Sequence, residues 1–214
     1  MSLTRTIAAA VAALAVAAPA ASAAPAGHHD PVLEFAKLTT ISGSAGNDGT
    51  TFLKVFASDA GSHLVYTDEA TGALKSETAV NPRIWKAFDP AANTITLRDG
   101  FTGSLVPTPA EEARYFQQGV EQGCYVKTGS DDANRLDHYK MVDDPQLPCA
   151  DDPNTQETDL VDQRTGYVVD RITTNGTFRQ ETSLAYTKVH DEPGAKRLLK
   201  LAPHPGATVV DERG

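Results

Sequence analysis

Two stretches of this chain turn a corner in the same way. "TDEATGALKSET" at 67–78 and "VDQRTGYVVDRITT" at 161–174 each place an acidic residue, two variable residues and Thr-Gly ahead of an extended run. An Asp side chain caps such a turn by accepting nearby backbone N–H bonds, and the Gly supplies the positive φ that closes it. As sites for chemistry, Asp68–Gly72 and Asp162–Gly166 are poor choices; as corner pieces they are good ones. A chain jointed this way is restricted to short strands that pair with their neighbours, an antiparallel meander.

The runs between the corners agree. "TFLKVFAS", "SHLVYTD", "ALKSETAV", "RIWKAF" and "TITLRD" follow one another from residue 51 to 99, and "ETDLVD", "YVVDRITT" and "TFRQETSLAYTKV" close the sequence of strands. In the last run Phe178, Leu184 and Tyr186 share one parity and Arg179, Glu181 and Ser183 the other, which predicts one apolar and one solvated face. Asn175-Gly176 is a strong hairpin signal, and that need explains the glycan-like "NGT" without a sugar. Thr108-Pro109-Ala110-Glu111 is a capping box with proline at the first helical position, so a helix is expected over 109–122, stopped by Gly123. Asp30-Pro31 reads as a second helix start, opening a short helix "PVLEFAKL". "SGSAGNDG" at 42–49 is a loop, residues 129–156 are mostly an acidic loop, and the Pro/Gly-rich tail is expected as a late edge strand.

Residues 1–23 combine Arg5, an Ala/Val/Leu run and Ala21-Ser22-Ala23, the pattern of a secretory signal peptide cleaved near Ala23. Pro19 makes the run a poor membrane anchor. The expected organisation is a leader at 1–23, a flexible N-terminus with a short helix at 24–49, and one domain at 50–214. A formal net charge of −9 without a basic cluster argues against nucleic acid as a partner. Cys124 and Cys149, in an exported chain, favour one disulfide over two free thiols.

No G-x-S-x-G, phosphate-binding loop or H-E-x-x-H is present, and no catalytic residue, cofactor or metal is expected. His28-His29 would chelate copper or nickel only weakly from a mobile terminus. The pairs Asp131-Asp132, Asp143-Asp144 and Asp151-Asp152 lack the spacing of a calcium loop. The aromatic residues are more informative. Phe52, Phe56, Tyr66, Trp85, Phe88, Phe178 and Tyr186 fall in predicted strands. They fill a sheet's face or, with Phe116 and Leu184, leave it incompletely filled as an apolar groove.

"VYTDEATGALKSET", "KAFDPAANTITLRDG" and "LVDQRTGYVVDRITTNGTFRQETSLAYTKV" together resemble the strand-turn units of the LolA-like superfamily, over roughly residues 50–189. That group holds extracytoplasmic lipoprotein carriers and actinobacterial lipid-binding and envelope-stress proteins. The resemblance implies an α+β fold: a strongly curved antiparallel half-barrel meander, covered on its concave side by a few helices around an apolar cavity. It also implies a non-enzymatic, monomeric protein of the cell envelope that binds a lipid, an acyl chain or another hydrophobic small molecule. The alternative it carries is an envelope protein-interaction or stress-sensing module. The chain departs from several members in lacking a lipid-anchor cysteine and in its acidic loop, and no ligand-gating residue is carried over.

Overall fold

A computed structural model describes residues 31–44, 48–144, 146–148 and 154–214. The expected leader at 1–23, His28, His29, Cys149 and Asp151-Asp152 lie outside the described residues.

The described residues form one curved, open sheet of twelve strands. The first six are β1 (Val32–Ser42), β2 (Gly49–Ser58), β3 (Gly61–Asp68), β4 (Leu74–Asn81), β5 (Ile84–Asp89) and β6 (Thr94–Asp99). Helix α1 (Pro109–Glu121) then leads to β7 (Tyr125–Asp131), β8 (Leu136–Met141), β9 (Thr155–Asp162), β10 (Val168–Asn175) and β11 (Phe178–His190). A short 3-10 helix (Ala195–Leu199) precedes β12 (Thr208–Asp211). The strand order is β12-β6-β5-β4-β3-β2-β1-β11-β10-β9-β8-β7, so two meanders join where β1 pairs with β11. α1 belongs to the crossover between the two halves of the sheet. β12 adds to β6 in parallel, the edge strand expected of the tail.

The corners behave as their sequence dictates. Asp68 Oδ1 accepts from the Thr71 amide at 3.0 Å, Asp162 Oδ1 from the Thr165 amide at 2.9 Å, and Gly72 and Gly166 close the turns at φ +67° and +71°. Thr108 and Glu111 form the reciprocal capping box, and Gly123 ends the helix at φ +80°.

The first expected helix is not there. Residues 32–42 are strand β1 at the centre of the sheet, with Val32, Phe35 and Ala36 fully buried. A strand covered on both faces reads as a continuous apolar run, and alternation is lost from its sequence. Pro31 is compatible with a strand because it precedes the first paired residue. A strand of the sheet therefore lies ahead of residue 50, where the domain was expected to begin. The acidic loop is shorter than expected too, since β7 and β8 form a hairpin within it.

Opposed residues share a face. Phe35, Leu53, Val55, Ala57 and Leu64 pack one core on the face that α1 covers, with Val106 and Leu184 against it. Phe116, Val161 and Val168 form a second core beneath α1, ringed by Val120, Tyr125 and Tyr139. Between the two cores the face is not filled.

Candidate functional site

The gap is a cleft of about 550 Å³. Two rows of opposed residues make its floor. Tyr66, Leu53, Lys37 and Leu184 cross β3, β2, β1 and β11 in one row, and Thr51, Thr39, Thr182 and Arg171 cross β2, β1, β11 and β10 in the next. Val106 and Glu112 contribute walls from the crossover.

Charged groups tie the helix across this gap. Glu112, in the first turn of α1, takes Lys37 Nζ on Oε2 at 2.6 Å and faces Arg171 Nη1 with Oε1 at 3.5 Å. Arg171 Nε also donates to Asp159 Oδ1 at 2.7 Å and lies 3.2 Å from Glu157 Oε1. The Tyr125 hydroxyl donates to the same Glu157 oxygen at 2.8 Å. Burial, reinforced by Glu157, pushes the Tyr125 phenol up. Asp159 is fully buried, and its Oδ2 has no hydrogen-bond partner among the described residues. Burial raises its carboxyl to about 7, with Glu157 adding to the effect and Arg171 opposing it.

The opposite face is covered over β1–β4. The chain from Ala195 to His204 lies over it as a strap. Its clasp is Glu77, whose Oε1 accepts from the Ala202 amide at 2.7 Å and meets His63 Nε2 at 2.7 Å, while Oε2 meets His204 Nε2 at 2.8 Å. His63 Nδ1 faces the Leu198 carbonyl at 2.7 Å, so both of its ring nitrogens point at acceptors. Burial by itself would raise the Glu77 carboxyl, but the Ala202, His63 and His204 bonds together hold it below its ordinary value. Phe88 stacks on His204 with ring centres 3.6 Å apart, and Phe56 on His63 at 5.6 Å.

Of the residues expected to line an apolar groove, the structure brings Tyr66 and Leu184 to the cleft. Phe116 packs beside it, 4.8 Å from Tyr125 and 5.1 Å from Tyr139 between ring centres. By register Trp85 shares the helix-covered face but lies on β5, where Arg98 covers its ring. Phe178 shares that face as well, at the β10–β11 hairpin. Phe52, Phe56, Phe88 and Tyr186 are on the strap side, which corrects their placement on a single concave surface.

Tyr186 is misplaced by parity for a definite reason. Ala36 pairs with Tyr186 and Lys37 with Leu184, so Ala185 is an unpaired bulge that reverses the alternation. The Tyr186 hydroxyl donates to Glu34 at 2.7 Å on the strap side. Lys37, Glu112 and Arg171 were not anticipated; a lone charge on the apolar parity of a strand is the signal that marks Lys37 and Arg171. Cys124 is fully buried, and its expected partner Cys149 lies outside the described residues. Among the described residues no helix is long and apolar enough to cross a membrane.

No protein-family profile and no curated protein matches this sequence. Solved structures align with it in shape. An uncharacterized conserved protein from Thermus thermophilus aligns over 86% of this chain and 91% of its own, at 7% identity and a TM-score of 0.47. The MucA/MucB complex of Pseudomonas aeruginosa aligns over 84% of this chain and 59% of that one, at 11% identity and a TM-score of 0.43. A LolA superfamily protein from Nitrosomonas europaea aligns over 79% of this chain and 90% of its own, at 9% identity and a TM-score of 0.34.

Proposed function

We propose that this protein is a non-catalytic, extracytoplasmic binding protein that takes an acyl chain or similar lipid into the cleft between its sheet and α1. The observation that carries this reading is the unfilled 550 Å³ between two packed cores. Ligand sites commonly have about this volume and a mostly apolar lining with a few polar groups. Each methylene moved from water to the Leu53, Val106 and Leu184 wall stabilises the complex by about 0.8 kcal/mol. The leader directs export, and a Cys124–Cys149 bridge then fixes the end of α1.

Native mass spectrometry of the secreted protein, before and after delipidation, tests the reading. A mass increment lost on delipidation and restored by added fatty acyl compounds is the expected result. Protein that is ligand-free as isolated and takes up no acyl compound would sink it. Leu53→Trp, which fills the cleft from its floor, is expected to abolish uptake while leaving the fold intact.

The second reading is a module that holds an envelope protein. It draws on β7, which ends the sheet and offers an open strand edge. A stable protein complex that survives delipidation and is lost when β7 is altered, with no acyl uptake, would favour it.

A further inference from the structure

The cleft's lining points to a neutral amphiphile as the ligand: an acyl chain whose head bears hydroxyl or ester groups and no formal charge. This rests on the reading of the cleft as an acyl-binding site.

Charge is already matched within the protein. Lys37 is held by Glu112 at 2.6 Å, Arg171 by Asp159 at 2.7 Å, and Lys75 by Asp68 at 3.2 Å. An anionic head must take Lys37 or Arg171 from a carboxylate, and a cationic head must take Glu112 from Lys37. Either exchange leaves a half-buried charge without its partner, which is strongly unfavourable. Bringing a charged head in without an exchange costs its hydration instead.

Neutral polar groups, in contrast, are under-used. Thr39 and Thr182 share one hydrogen bond at 3.2 Å, which consumes a single hydroxyl proton. Gln180 reaches Thr182, and Lys75 reaches Thr51, only at 3.5 Å. The Tyr66 and Ser76 hydroxyls line the cleft and make no side-chain hydrogen bond among the described residues. A plain hydrocarbon would bury these groups unsatisfied, whereas a glycerol or ester head gives them donors and acceptors. The apolar wall of Leu53, Val106, Val168 and Leu184 is left for the chain.

Isothermal titration of delipidated protein with three compounds of one chain length separates the cases. Monododecanoylglycerol, dodecanoate and dodecyltrimethylammonium are titrated below their micellar concentrations. The glyceride is expected to bind about tenfold more tightly than either charged compound, the equivalent of one or two net hydrogen bonds. Equal affinities, or a tighter charged compound, overturn the inference while the acyl-binding reading stands. No binding by any of the three overturns that reading itself. In a Thr39→Val, Thr182→Val double variant the glyceride's advantage is expected to shrink to the part set by the ion pairs, and Tyr66→Phe, which keeps the ring, is expected to reduce it. An advantage that persists unchanged in both variants overturns the assignment.

Discussion

Glu77 and Asp159 are both buried carboxylates, on opposite faces of one sheet, and their acidities move in opposite directions. Glu77 is 3% exposed and Asp159 1%, so surface exposure does not separate them, although Asp159 lies deeper. The number of donors does. Glu77 receives a backbone amide and two imidazoles on its two oxygens, whereas one oxygen of Asp159 has no partner among the described residues. On the strap side the carboxylate is satisfied by the chain itself. The cleft side is left open, with polar capacity unspent.

The largest expected effect comes from removing the cation that holds the cleft side together. Arg171→Leu leaves Glu112, Glu157 and Asp159 facing one another and is expected to cost about 2–4 kcal/mol, reduced from the fully buried case because the side chain is 27% exposed. Chemical denaturation at several pH values should show this loss shrinking toward pH 5 as Asp159, whose pKa is raised, takes up a proton. A pH-independent loss would contradict the network.

Glu77→Gln tests the clasp and should cost about 2–3 kcal/mol at neutral pH, the scale of charge-assisted hydrogen bonds. Because the folded pKa is depressed from 4.5, wild-type Glu77 stabilises above that value and loses its contribution as pH falls through the folded pKa. The gap between wild type and variant should therefore close in acid. Asp159→Asn has the opposite sign. A pKa raised from 3.8 to about 7 makes the aspartate's contribution complete below 3.8 and lost as pH rises toward 7. The Asn variant should compare best with wild type near pH 8, and a deficit that grows with pH would refute the raised pKa.

The smallest effect is local. Thr108→Ala removes the cap of α1 and should cost about 1 kcal/mol. Hydrogen exchange is expected to quicken over 109–121 and to stay unchanged over the strap at 195–204. Faster exchange in both would mean that the two faces are not independent.

Local features of this chain were legible because their causes are local. Asp68, Asp162, Thr108, Glu111 and Gly123 each act within a few residues, and all occupy the turns or caps their sequence implied. β1 was misread because its two buried faces belong to layers supplied by distant parts of the chain. The clasp was invisible for the same reason: His63 and Glu77 lie 14 residues apart, and His204 comes another 127 further on. The cleft was half legible. Tyr66 and Leu184 were expected there, but Lys37, Glu112 and Arg171 gain their meaning only when β1, α1 and β10 converge.

Ala185 gives one strand two addresses. Residues before it, such as Leu184 and Thr182, answer to the cleft side, while Tyr186 and His190 after it both reach Glu34 on the other. Deleting that single alanine would make the ladder regular and keep both addresses, since Tyr186 would follow Leu184 directly and still oppose Ala36. The bulge therefore acts as a spare residue, which lets the parity of the sequence and the face of the sheet disagree without a change of register on either side.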